Sequence, residues 1–318
     1  MNIDLPNVNK GTNGPVIAVL KEHAPPTKPP SVWRRARRSL IRARWPVVAL
    51  FILLFMTTVA ILAPQIAPKD PNRQALVKRL QAPFTVNAAG VIEFPLGTDT
   101  LGRDVLSRLL YGARVSMLVG ITAVVIGGAL GTVLGMIAGY VGGVVDDIIM
   151  RAAEIELAFP FILLTIMFLV ILGPGLINLV IVLGIGQWVT YARIARGQTI
   201  SQREKEYVEA ARSIGVRPMS ILFVGILPNI FAPIMVIASF NVASAILTEA
   251  SLSFLGLGVP PTVPTWGGML AESRDNLLSG SWWLAVFPGL AIMLTVLAIN
   301  ILGDWLRDFL DPRLRGSN

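Results

Sequence analysis

The chain runs to 318 residues, of which 54% are hydrophobic and only 14% charged, with a mean hydropathy of +0.67; that balance excludes a soluble domain with a solvated surface and marks an integral membrane chain. The absence of cysteine removes disulfides, thiolate metal sites and cysteine nucleophiles, and the single histidine, His23, stands in a proline-rich stretch, so the usual forms of catalysis have few candidates. The formal charge of +8 resides in basic residues that flank apolar runs, which points to topology signalling and contact with membrane lipid and to no nucleic-acid partner.

In chain order, residues 1–32 hold Pro6, Pro15, Pro25, Pro26, Pro29 and Pro30 and no apolar run, the composition of a disordered tail. A cleavable signal peptide is not expected, because the first apolar run begins only near Trp45. With about 20 apolar residues per crossing, the pattern predicts spans over 45–66, 115–141, 155–172, 176–195, 229–250 and 282–302. Glu154 and Glu156 crowd the start of the third, and Gly173-Pro174-Gly175 turns the chain into the fourth. The expected divisions are a tail over 1–32, a basic segment with the first span over 33–66, an external loop with an elbow helix over 67–114, a five-span core over 115–306 and a tail over 307–318.

Arg34, Arg35, Arg37, Arg38, Arg42 and Arg44 precede the first span and Arg307, Arg313 and Arg315 follow the last, which predicts both ends in the cytoplasm. The segment after the fourth span is then also inside, with Arg196, Arg203, Lys205, Arg212 and Arg217. Residues 67–114 conflict with this scheme, since they are assigned outside and carry Lys69, Arg73, Lys78, Arg79, Arg103, Arg108 and Arg114.

Gly127, Gly131, Gly135, Gly139 and Gly143 recur every four residues, a stripe that admits another backbone closely, within the chain or across a subunit interface. The main polar residues inside the spans are Gln187, Asn241, Glu249 and Asn300. Glu249 and Asn241 are candidates for the pathway or its gate; for Glu249 the preferred reading is a solvated position at the outer end of the fifth span, where its charge costs little. The segment 252–281, rich in Gly, Pro and Trp, suits a cap over the outer mouth or an interfacial loop, with Trp266, Trp282 and Trp283 at the interface.

Between the fourth and fifth spans lies a polar island. From Ser201 it has good helix formers, with Tyr207, Ala210, Ala211 and Ile214 on one face; Gly215 suits a left-handed cap, Pro218 opens a second short helix and Pro228 marks the next break. No lysine is followed by Ser or Thr, so the phosphate-cradling GxxxxGK[ST] loop is absent.

Within this island Glu209, Ala210, Ala211, Gly215, Leu227 and Pro228 resemble the EAA loop of bacterial ATP-binding-cassette import permeases, which docks into a cleft of the ATPase subunit. FPLGTDTLGRDVLSRLLYGARVSM at 94–117, LSFLGLGVPPTVPTWGGML at 252–270 and FPGLAIMLTVLAINILGDWLRDFLDPRLRG at 287–316 are similar to the C-type permease of the oligopeptide, dipeptide and nickel family. That family often has His where this chain has Phe94, and its peptide-type members often have His where this chain has Gly225.

The resemblance implies an all-α, type I importer permease of about six transmembrane helices in the bacterial inner membrane, with 201–228 as its coupling loop. It implies import of di- or oligopeptides or similar small solutes, with permeases for nickel, metal chelates or opines as the alternative. The implied partners are a B-type permease, two ATPases that bind ATP and Mg, and an extracytoplasmic solute-binding protein, with no cofactor in this chain. Hydropathy by itself also admits an ion-coupled carrier or a channel.

Overall fold

The computed structural model describes residues 44–86 and 90–310, so the expectations for 1–43 and 311–318 lie outside the described residues. The described chain is helical, with two isolated antiparallel bridges, Val86 with Ile92 and Thr98 with Asp104, and no longer strand. Its helices are α1 (Arg44–Ile66), α2 (Val105–Val141), α3 (Gly143–Leu157), α4 (Phe161–Leu172), α5 (Leu176–Ile185), α6 (Trp188–Arg203), α7 (Glu206–Ser213), α8 (Pro218–Phe254), α9 (Trp266–Ser273) and α10 (Trp283–Leu310). Five stretches are long and apolar enough to cross a membrane, α1, α2, α5 with α6, α8 and α10, and there are six if the bent pair of α3 and α4 forms one span.

The third expected span is corrected. Instead of one helix over 155–172, α3 and α4 meet at a bend of 88°. Pro160 is the cause in sequence: it disfavours helical backbone at Phe159, and its own ψ of 126° starts α4 afresh. The elbow helix expected within 67–114 is also absent among the described residues; α2 already begins at Val105, where Asp104 caps it by accepting from the Ser107 amide at 2.8 Å. The last helix runs to Leu310, beyond the expected core boundary at 306.

α2 is the spine. At about 1.5 Å per residue its 37 residues run about 55 Å, well beyond a hydrocarbon core of about 30 Å, and it touches α1, α3, α5, α6, α8, α9 and α10. Its longest contact is with the α5–α6 span, which descends beside it in the same direction: Gly127 meets Gly184, Gly131 meets Trp188, Gly135 meets Ala192 and Gly139 meets Arg196. A β-carbon on Gly127 would lie 2.5 Å from the Gly184 carbonyl oxygen, and one on Gly139 would lie 2.7 Å from that of Arg196. Gly143 does not belong to this stripe. α2 ends at Gly142, and Gly143, at φ +56° with open space around it, starts α3.

A second line of small residues, Gly112, Ser116 and Gly120, runs along another face of α2 and admits Trp266 of α9 and Ile246 of α8. At that end the loop 67–104 folds onto α9 and α10: Trp283 Nε1 donates to the Thr98 carbonyl at 3.2 Å, and Thr98 Oγ1 accepts from the Gln81 amide at 2.9 Å. Trp266 and Trp283 are therefore core residues rather than interfacial ones, and of the three tryptophans only Trp282 is half exposed.

Four of the seven basic residues that conflict with the topology scheme are neutralised within the chain. Arg103 and Arg108 both donate to Glu272, at 2.8 and 2.9 Å, and Arg103 also bonds Asp99 at 2.6 Å. Lys69 and Lys78 share Glu93, at 3.2 and 2.5 Å, with the Lys69 ammonium 3.4 Å from the centre of the Phe94 ring.

Gly135→Leu is expected to lower the yield of folded protein and its melting temperature in detergent, since overpacking of this kind costs about 1–3 kcal/mol and its β-carbon would overlap the Ala192 carbonyl. Gly128→Ala is the control, because its added methyl would meet only the Tyr191 ring, at 3.5 Å. A second expectation concerns pH. Hydrogen bonds from Lys78 and Lys69 hold the Glu93 carboxyl below its ordinary value of 4.5. A depressed folded value contributes stability above the unfolded value that is lost as pH falls through the folded one. The melting temperature of Glu93→Gln is therefore expected to lie below the parental value near neutral pH, and the gap to close on acidification through the carboxylate range.

Candidate functional site

Two regions carry polar groups that the packing of the bundle leaves for other work. The first is the segment joining α6 to α8. α7 is anchored by Val208, fully buried against Ile221 and Leu222, with Ala211 packed at the margin of the same cluster. This corrects the expected face: of Tyr207, Ala210, Ala211 and Ile214, only Ala211 packs inward, while Ile214 is 79% exposed. α7 is closed by two bonds, from the Gly215 amide to the Arg212 carbonyl and from the Val216 amide to that of Ala211, both 3.0 Å. That closure places Gly215 at φ +79°, a left-handed conformation that β-branched residues resist.

Pro218 begins α8, as the first-turn preference predicts. The expected second short helix and the break at Pro228 are both corrected. Pro218 opens one continuous helix through Phe254, and a turn of π-helix, Ile221–Ile226, precedes Pro228. Pro228 lacks an N–H and its ring crowds the carbonyl four residues earlier; the wider turn accommodates both. Leu227 is partly buried in the cluster around Val208, whereas Pro228 is exposed.

The surface so formed presents Glu209, Ala210 and Ile214 from α7, with Met219 and Val224 exposed at the start of α8. Arg212 is spoken for, its guanidinium 4.6 Å from the centre of the Tyr140 ring. Among the described residues no cation pairs with the Glu209 carboxylate.

The second region lies inside the bundle. Glu249 is not at a solvated end of its span: it is fully buried, accepting from Ser116 Oγ at 2.9 Å and from Ser253 Oγ at 2.8 Å. Its roof is α9. Gly267 rests on the backbone of Ala250, where a β-carbon would come within 2.5 Å of the Ala250 Cα, and the amide of the neighbouring Trp266 donates to Ser116 Oγ at 3.4 Å. The spacing of Gly112, Ser116 and Gly120 was the available sign of a second close contact on α2; that Ser116 would meet a carboxylate was not readable from it.

Asn241 stands elsewhere, in the wall of a cavity of about 190 Å³ shared with Glu156, Gln187, Thr190, Ser244 and Thr248. Asn241, Ser244 and Thr248 lie three and four residues apart and so share one face of α8. Glu156 stands beside the bend between α3 and α4, where its Oε2 accepts from Trp188 Nε1 at 2.6 Å. The sequence marked Glu156 only as an obstacle to a straight third span, and Thr190, Ser244 and Thr248 are too common in helices to stand out. Among the described residues no group of three or more His, Cys, Asp or Glu side chains is arranged to hold a metal ion.

Ser116→Ala removes one of the donors to a sealed carboxylate, and an unsatisfied buried group costs about 1–3 kcal/mol. It is expected to lower the melting temperature in detergent, with Ser251→Ala, on α8 with Glu249 but exposed, as the neutral comparison.

Comparison with known proteins adds independent findings. Residues 131–316 match the family described as binding-protein-dependent transport system inner membrane component, and residues 31–83 match the N-terminal transmembrane domain of oligopeptide transport permease C. The chain is 42% identical over 288 residues to the di/tripeptide transport system permease protein DppC of Pseudomonas aeruginosa, covering 91% of this chain and 94% of that one. It is 43% identical to the glutathione transport system permease protein GsiD of Escherichia coli O6:K15:H31, covering 89% and 90%. Among solved structures, an inward-facing form of the MetNI methionine ABC transporter matches with a TM-score of 0.52 at 17% identity, over 64% of this chain and 97% of that one, a likeness of fold alone.

Proposed function

The chain belongs to the binding-protein-dependent transport system inner membrane component family, and from that premise we propose that it is the C-type permease of an importer for di- or oligopeptides. The names of its relatives support the peptide class. By this reading it pairs with a B-type permease, receives solute from a binding protein and is driven by two ATPase subunits that bind ATP and Mg. Both termini lie in the cytoplasm. The arginines before the first span and after the last support that orientation.

The observation that carries the mechanism is the continuity of α7, Gly215 and α8. Glu209 and Ala210 are exposed on a short helix whose closure requires positive φ at Gly215, and the next helix runs without a break into the bundle. A partner docked on α7 therefore moves a rigid element whose far part, from Asn241 to Thr248, borders the polar cavity. Loading and release of solute then follow from rocking of packed helices about a site near the middle of the membrane. Glu209, Ala210, Ala211, Gly215, Leu227 and Pro228 serve as the coupling surface in this scheme, with Val208 holding α7 to the bundle. The close fit of Gly127, Gly131, Gly135 and Gly139 keeps α2 and the α5–α6 span together as one body while other elements rock.

Glu209→Lys is expected to leave the chain inserted but to weaken ATPase retention, since reversing one charge of a buried interfacial contact costs about 2–5 kcal/mol. Gly215→Val strains the backbone by about 1–3 kcal/mol and re-aims α7 against α8, uncoupling ATP hydrolysis from uptake. Pull-down of the co-expressed ATPase and peptide uptake in vesicles check both. Parental behaviour of the two variants would remove 201–228 as the coupling element.

A further inference from the structure

The cavity beside the bend between α3 and α4 contains a charge without a counterpart. Glu156 borders it at the depth of Trp188, near the middle of the 28-residue span Leu176–Arg203. An ionised side chain at such depth is expensive unless something compensates it, and it normally marks a pathway. Of the three arginines nearby, two are committed elsewhere and the third stands in the adjoining cavity. Arg151 bonds Glu154 at 3.2 Å, Arg196 bonds Asp146 through two nitrogens at 2.5 and 2.6 Å, and Arg193 lines the adjoining cavity with Asp146, Asp147 and Glu154. Among the described residues none pairs with Glu156. The two helix ends at the bend, the C-terminus of α3 and the N-terminus of α4, carry opposite partial charges that offset one another, so the local charge is that of the carboxylate.

The rest of the wall is mostly apolar, with Leu157, Phe159, Phe161 and Leu164, and carries a few polar groups. Gln187 Oε1 is buried with no hydrogen-bond donor, and the Asn241 amide and the Thr190 hydroxyl border the same space. An ammonium offers three donors and no acceptor, which suits a carboxylate, an amide oxygen and a hydroxyl around it. The cavity, of about 190 Å³, has room for the amine-bearing end of a solute.

We propose that Glu156, Gln187 and Asn241 form a subsite for the ammonium group of the transported solute, set in the path at the break between α3 and α4. This deepens the reading of the chain as a permease for peptides, whose free amino terminus is an ammonium, and rests on it for the identity of the solute. Glu156 supplies the charge; Trp188 fixes its carboxylate through the 2.6 Å bond, leaving the other oxygen for the incoming N–H. Gln187 Oε1, buried without a donor at the margin of the cavity, turns toward the ammonium to gain one.

Glu156→Gln separates charge from structure, because the amide oxygen still accepts from Trp188 while the charge is gone. Glu154→Gln is the control, removing an equal charge from an exposed position of the same helix outside the cavity. The test uses the complete complex, with ethylammonium against an equal concentration of sodium as the probe in thermal unfolding, and uptake of alanyl-alanine into proteoliposomes as the transport readout. Ethylammonium is expected to raise the melting temperature of the parental complex and not that of Glu156→Gln. Uptake is expected to fall about tenfold in Glu156→Gln, the scale of one lost charge-assisted hydrogen bond, with stimulation of ATP hydrolysis by the loaded binding protein retained, and to stay within about twofold in Glu154→Gln. An equal ethylammonium shift in parent and Glu156→Gln, parental uptake in Glu156→Gln, or an equal loss in Glu154→Gln overturns the subsite. A parental complex that responds to ethylammonium but takes up no alanyl-alanine supports the subsite and refutes the peptide reading.

Discussion

Helices in a bilayer have no hydrophobic reason to meet, since lipid tails are as apolar as their own side chains, and the architecture follows from how this chain overcomes that. Its solution is α2, whose glycines let the backbone of the α5–α6 span approach until carbonyl oxygens lie where β-carbons would otherwise stand. Dispersion contacts and weak backbone bonds act at such distances and fall away steeply beyond them. A second small-residue line on α2 receives α9 and Ile246 of α8, so two independent seams fasten the bundle to one helix. The outer faces, such as Phe51, Leu54 and Phe55 of α1, are left large and apolar for lipid.

Once the seams are closed, the ionisable groups sort by whether a partner lies within the chain. At one end Arg103, Arg108, Asp99 and Glu272 compensate one another, two charges of each sign. Within the bundle Glu249 is sealed under α9 with two serine donors, which makes it a fastening between α2 and α8. Several acids among the described residues have no cation in an ion pair, and two of them, Glu209 and Glu156, stand where a partner could reach them. One faces the medium at the end of the bundle where α6 passes into α8, and the other faces a cavity within it. These are the positions where an external partner and a solute, respectively, would complete the electrostatics.

Proline and glycine set the mechanics between these two carboxylates. Pro160 breaks the third span at a bend beside the cavity that Glu156 borders. Pro228 does not break α8, because the π-helical turn Ile221–Ile226 absorbs its missing hydrogen bond and its bulk. The result is one stiff helix leading from the coupling segment to Asn241 and Thr248, with Gly215 as the sharp turn at its foot.

Composition and period determined much of this protein without coordinates. The membrane class, the helical architecture, the positions of five spans, the turn at Gly215 and the close contact along Gly127 to Gly139 were all legible, because apolar run length, glycine spacing and turn chemistry are local properties of a chain in lipid. Long strings such as 94–117 and 287–316 carried the family likeness for the same reason, being contiguous. The tertiary structure alone decided what becomes of individual polar groups. Glu249 looked solvated because its neighbours in sequence are glycine and proline rich, yet α9 folds back over it through Gly267. Gly143 continued the fourfold spacing but fell just past the end of α2. Glu156 looked like a flaw in a span, and it became part of a cavity only when Gln187, some thirty residues on, and Asn241, on another helix, were brought beside it. Burial and pairing are set by neighbours distant in sequence, and no local pattern records which of them will arrive.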